Sequence, residues 1–217
     1  MTRKCVPNEL YGQLGRKIDE LKLRIDLERI PFQRAVNDLQ QLIEGRTFQV
    51  SAQRWREQDG VIYFKVTSNG MTGPQWIEHF EKKGIQLSKW AKDVLNSPEF
   101  KPTNGVTTEI AVLKGMLFED NDRVTSKIRI DADRRKLAKP NAEVACLIRD
   151  MFTDKEIKEM GLLWIVAMHE PIKDSDGLLA LLGTRRHDDG GLDAYYGDSG
   201  GGWPRDPAFA FVSQVSS

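Results

Sequence analysis

The sequence predicts an α+β protein: a helical hairpin over residues 1–46, followed by an α+β domain over residues 47–217 that ends in an antiparallel sheet. Three observations predict it. Apolar residues up to position 46 recur at intervals of three and four, the period of one helix face. Asp59-Gly60 stands between two alternating runs, which is a hairpin signal because both residues tolerate the left-handed backbone of a tight turn. Beyond Gly161 the chain breaks into short β-rich runs separated by Asp, Gly and Ser clusters.

Taken in order, Leu10, Leu14, Ile18, Leu21 and Ile25 form the first apolar stripe, with charged residues between them. Pro31 suits a first helical turn, and Phe32, Ala35, Leu39 and Leu42 continue the spacing to Gly45, a C-cap. Phe48, Val50 and Ala52 alternate ahead of Asp59-Gly60, and Val61 to Val66 forms the returning strand, closed by Asn69-Gly70. Pro74 opens a helix carrying Trp76, Ile77 and Phe80 up to Gly84, and Ser88 caps a second containing Trp90, Ala91, Val94 and Leu95, with Trp90 and Val94 expected in the core. Thr107 to Leu113 is β-branched and reads as a strand, residues 123–137 read as a helix although Ile128 and Ile130 also fit a strand's period, and Ala142 to Met151 reads as another helix. Thr153-Asp154-Lys155-Glu156 is a capping box, the threonine serving one orphaned amide while the glutamate serves another. Strands are then expected at Leu162 to Met168, Leu178 to Leu182, Leu192 to Tyr196 and Phe209 to Val215.

Composition narrows the function. Thirty-two basic and 32 acidic residues cancel, so there is no global pull toward nucleic acid or anionic lipid. No run approaches the ~18 apolar residues of a membrane span, and no apolar h-region follows the N-terminal basic residues, so a cytoplasmic protein is expected. Two cysteines without a Cys-x-x-Cys pair support neither structural zinc nor a disulfide framework, and Cys146, within Val144 to Ile148, reads as a small core residue. No cofactor is expected.

Several strings resemble chemistry. Gly197-Asp198-Ser199-Gly200-Gly201 resembles the nucleophile loop of trypsin-like proteases, yet only 30 residues separate His169 from Ser199, too few to build the two barrels that deliver base to nucleophile. Asp174-Ser175-Asp176-Gly177 resembles the start of a calcium loop, but the twelfth position is Arg185, a cation where a bidentate carboxylate belongs. A metal-assisted hydrolase would draw on His169, Glu170 and His187, with Glu170 moving protons and His169, His187 and Asp188 as metal ligands. Trp164, Tyr195, Tyr196 and Trp203 would wall its pocket. A nucleic-acid reading places Lys82, Lys83, Lys89 and Lys92 on a helix pair entering the major groove, with Arg134-Arg135-Lys136 as an auxiliary phosphate contact. Residues 47–100 hold 7 basic and 6 acidic groups, which argues against a basic face.

Thr72-Gly73-Pro74-Gln75-Trp76-Ile77, Pro140 to Arg149, Met168-His169-Glu170-Pro171-Ile172 and Phe209-Ala210-Phe211 carry a resemblance. On these strings the stretch from Asp59 to Gln214, about 70% of the chain, resembles a group of bacterial hypothetical proteins. The resemblance implies no catalytic residue, cofactor or substrate. The expected function is therefore a non-enzymatic binding or regulatory protein that meets a protein partner, or a second copy of itself, through the N-terminal hairpin.

Overall fold

Asp59 and Gly60 both adopt the left-handed backbone, with φ of 53° and 75°, and turn β1 (Arg56–Gln58) into β2 (Val61–Asn69). This is the hairpin that the dipeptide announces, because a two-residue turn with both φ positive matches the twist of paired strands. The structure is a computed structural model and describes residues 8–26, 35–36, 39–40, 43, 54–186, 190–196 and 202–213. The strand expected at residues 48–52 lies outside them.

The chain divides into two compact units, Met1–Ala52 and Gln53–Ser217. In the first, α1 (Asn8–Asp26) is a 19-residue helix, and the residues described between 35 and 43 are helical; the rest of the expected second helix lies outside the described residues. Lys17 and Arg24 both pair with Glu20, at 2.9 and 2.7 Å, supporting the helix from its own surface.

The second unit is α+β. Its helices are α2 (Gly73–Lys82), α3 (Lys89–Asn96), α4 (Thr125–Arg134), α5 (Glu143–Met151) and α6 (Asp154–Glu159). Local chemistry sets their ends. Ser88 accepts the Ala91 amide at 3.1 Å, and Thr153 and Glu156 form the reciprocal capping box that starts α6. Thr72 and Gln75 form a second such box at α2.

The remaining strands are β3 (Gln86–Leu87), β4 (Asn104–Lys114), β5 (Leu137–Ala138), β6 (Trp164–Ala167), β7 (Ile172–Lys173), β8 (Leu179–Arg185), β9 (Gly191–Tyr196) and β10 (Pro207–Ser213). They join in the order β1-β2-β4-β10-β6-β8-β9-β3, with β5 on β10 and β7 on β8. The sheet is mixed. The pairs β6/β8 and β8/β9 are antiparallel, as a meander requires, but β10 lies parallel to β6 and β3 parallel to β9. The all-antiparallel arrangement expected of the C-terminal strands is corrected here. Instead of extending the meander at β9, the last strand returns to the middle of the sheet, with Phe209 opposite Leu113 on one side and Val166 on the other.

Alternation explains why the middle strands hold two cores. Ile110, Val112, Ile165, Ala167, Leu182, Ala208 and Ala210 pack beneath Trp76, Phe80, Val94, Leu95, Ala145 and Ile148 of the helices. Their neighbours Ala111, Leu113, Val166, Leu181, Phe209 and Phe211 pack on the other face with Ile128 and Ala132 of α4. Cys146 is fully buried, as expected of a core thiol, and burial pushes its pKa up. Trp90 departs from expectation: it is 41% exposed while Ala91, Val94 and Leu95 turn inward.

Candidate functional site

His169 follows β6 at the point where that strand leaves β8. The β6/β8 ladder ends at Val166 opposite Gly183, and β7 takes up the pairing at Ile172 opposite Ala180. The Leu182 amide therefore faces a gap, and a buried N–H must find an acceptor. His169 Nε2 supplies it at 2.9 Å, while Nδ1 meets the Glu170 carbonyl at 2.6 Å. One nitrogen accepts and the other donates, so the ring is neutral with its proton on Nδ1. Burial pushes its pKa down to about 4, and Arg129, whose Nη2 donates to the His169 carbonyl at 2.8 Å, opposes protonation further.

This geometry speaks against the metal-ligand role expected of His169. Both ring nitrogens are committed to backbone, and no lone pair is left for a metal or a substrate proton. Glu170 is at the surface, where its carboxylate accepts from Lys139; that hydrogen bond holds it below the usual carboxylate range and ionised at neutral pH. His187 and Asp188 lie outside the described residues, as does the Gly197 to Gly201 string. Among the described residues, no three His, Cys, Asp or Glu side chains form a metal-ligand set.

The aromatic wall is assembled differently. Trp164 and Tyr195 meet edge to face at 5.1 Å, and Trp203 packs on both Tyr195 and Phe209, so three of the four residues fill space against one another. Tyr196, the next residue along β9, points to the opposite face and donates to Asp174 Oδ2 at 3.3 Å. Asp174 Oδ1 accepts the amides of Asp176 and Leu178, both at 2.9 Å, so the acidic string is a turn, with Gly177 at φ 80°.

The lysines of the helix pair are mostly neutralised where they stand. Lys82 pairs with Glu78 at 2.6 Å, Lys83 with Asp150 at 2.5 Å and Lys92 with Glu81 at 2.6 Å; Lys89 has no ion pair among the described residues. Asp150 also meets His79 Nε2 at 2.7 Å, and despite desolvation these two partners keep its carboxyl below the ordinary range. At the end of α4, Arg135 pairs with Asp131, and Lys136 takes the left-handed position after the helix at φ 60°, a C-cap.

Two features were not anticipated. Glu143 is buried and accepts from the Thr103 amide at 2.9 Å, the Asn141 amide nitrogen at 3.0 Å and the Thr103 hydroxyl, tying the loop before β4 to the start of α5. Its sequence signal is a carboxylate directly ahead of the apolar run Val144 to Ile148. The second is a cleft of about 420 Å³ where β3 meets the ends of β8 and β9, with Arg185 and Asp193 on its wall and Ser88 at its rim. It forms from a parallel pairing of two residues, Gln86 and Leu87, which leaves no periodic trace in the sequence.

On the first unit, Leu14 is 53% exposed and Ile18 39%, so these two residues of the apolar stripe of α1 face solvent, while Leu21 and Ile25 are half-buried. Comparison of the chain with protein-family models, with curated proteins and with solved structures finds no match.

Proposed function

We propose that this chain is a cytoplasmic, non-enzymatic binding protein that acts through protein–protein contacts, with the helical hairpin of residues 1–46 as its docking element and residues 47–217 as the α+β body that carries it. The exposed stripe of α1 is the observation that supports this. A lone helix of this length is marginal in water, and most helices are held by burying their apolar face; here Leu14 and Ile18 remain open. Covering them recovers about 25 cal/mol for each Å² of apolar surface removed from water. The commitment of His169 to backbone amide and carbonyl favours the same reading over hydrolysis.

Co-purification of the full chain from its own cells after crosslinking tests it, with Leu14→Asp/Ile18→Asp as the comparison. A protein or second copy retained by the natural chain should fall at least tenfold on the variant, while the melting of the α+β body stays the same. If both chains retain the same partners in the same amounts, the docking role of α1 is wrong.

A further inference from the structure

The stripe on α1 has a register. Leu14, Ile18, Leu21 and Ile25 are spaced four, three and four residues apart, which sets leucine at the d positions and isoleucine at the a positions of a heptad. Leucine at d with a β-branched residue at a is the pattern of a two-stranded coil, because these shapes fill the holes between two helices best. From Leu14 to Ile25 the seam is about 17 Å long; its first half, Leu14 and Ile18, lies open, while Leu21 and Ile25 are half-buried.

The residues flanking the seam select what can lie on it. Lys17 and Arg24 occupy g positions and Lys22 an e position, while Asp19, Glu20 and Asp26 fall at b and c, away from the seam. The three flanking cations stay 78%, 55% and 68% exposed for Lys17, Arg24 and Lys22, although each reaches a carboxylate of its own helix. A second copy laid parallel would bring Lys17 of one helix to Lys22 of the other, since g faces the following e. Laid antiparallel, it would face g with g and e with e, again cation to cation. Like charges at these positions set helices against pairing, and opposite charges choose partners.

We propose that α1 docks an amphipathic helix of a different protein, one whose own seam is apolar and whose flanks carry Asp or Glu. This rests on the reading of α1 as the docking element and adds the chemistry of the partner. The partner's carboxylates take up Lys17, Lys22 and Arg24 as Leu14 and Ile18 are covered.

Two designed peptides of four heptads test the partner chemistry on the full-length chain. Both carry Ile at a and Leu at d; one has Glu at every e and g, the other Lys. Fluorescence anisotropy should show the Glu-flanked peptide binding at least tenfold more tightly, an advantage of about 1.4 kcal/mol or more. That advantage should shrink between ~0.1 M and ~1 M salt as the screening length falls from about 10 to about 3 Å. Lys17→Glu/Lys22→Glu should reverse the preference, with helical circular dichroism checking that the variant keeps its helix. The comparison on the natural chain stands without that variant. Equal or better binding of the Lys-flanked peptide overturns the proposal, and so does binding of neither. Light scattering that shows a dimer dispersed by Ile18→Asp also overturns it, yet leaves α1 as the docking element. Binding of neither peptide, together with unchanged partners for Leu14→Asp/Ile18→Asp, removes both readings.

Discussion

His169 shows how one side chain can serve as a piece of backbone. Its Nε2 occupies the place of a ladder carbonyl opposite the Leu182 amide, so its cost and its benefit are both electrostatic. The unfolded chain takes a proton on this ring near the ordinary 6.5, whereas the folded chain does so only near about 4. Between those values the unfolded state binds more protons, and stability therefore falls as the pH drops from 6.5 toward 4 and loses nothing further from this group below that. The loss amounts to about 3 kcal/mol. His169→Ala should remove that slope from urea midpoints measured between the two pH values. At neutral pH it should cost about 2 to 4 kcal/mol, because the Leu182 amide is left unpaired and a cavity opens. None of this was legible in Met168-His169-Glu170. A histidine between a strand and a proline reads equally as ligand, base or core residue, and its partner is an amide 13 residues on. Trp90 carries the converse lesson: aromatic size alone does not bury a residue when a smaller neighbour holds the inward position.

Elements whose causes lie within a few residues were legible, and those defined by distant pairing were not. The Asp59-Gly60 turn, the Ser88 cap and the Thr153/Glu156 box each close within four residues, and each stands where the sequence places it. Strands β3, β5 and β7 have two residues apiece, too short for any period. The approach of α2 to α3 depends on Gly73, since a methyl group there would lie 1.6 Å from the Leu95 carbonyl oxygen. Backbone cannot yield as a side-chain tip can. Gly73→Ala should therefore cost about 2 to 3 kcal/mol or more by forcing the helices apart, whereas Gly84→Ala, with open space around it, should register only the strain of its positive φ. Paired thermal melts of the two variants check the contrast.

At the scale of the whole molecule, the central strands of the second unit supply apolar side chains to both of its faces, so that unit carries a core of its own. Residues 53–217 alone should melt in one cooperative transition, with near-ultraviolet circular dichroism like that of the full chain. A broad melt with exposed dye-binding surface would show that the division at residue 52 is not one of stability. The α+β class followed from local periods, but the mixed sheet did not, because the neighbours of β10 lie about 40, 75 and 100 residues upstream in sequence. The placement of β10 has a consequence for the chain during its synthesis. A nascent polypeptide that has emerged only as far as β9 holds the strands of β1-β2-β4 and of β6-β8-β9-β3 without the strand that joins them, leaving β4 and β6 each with an open edge. Pro207–Ser213 joins them, so the sheet closes after its last strand leaves the ribosome, and until then both edges are exposed to neighbouring chains.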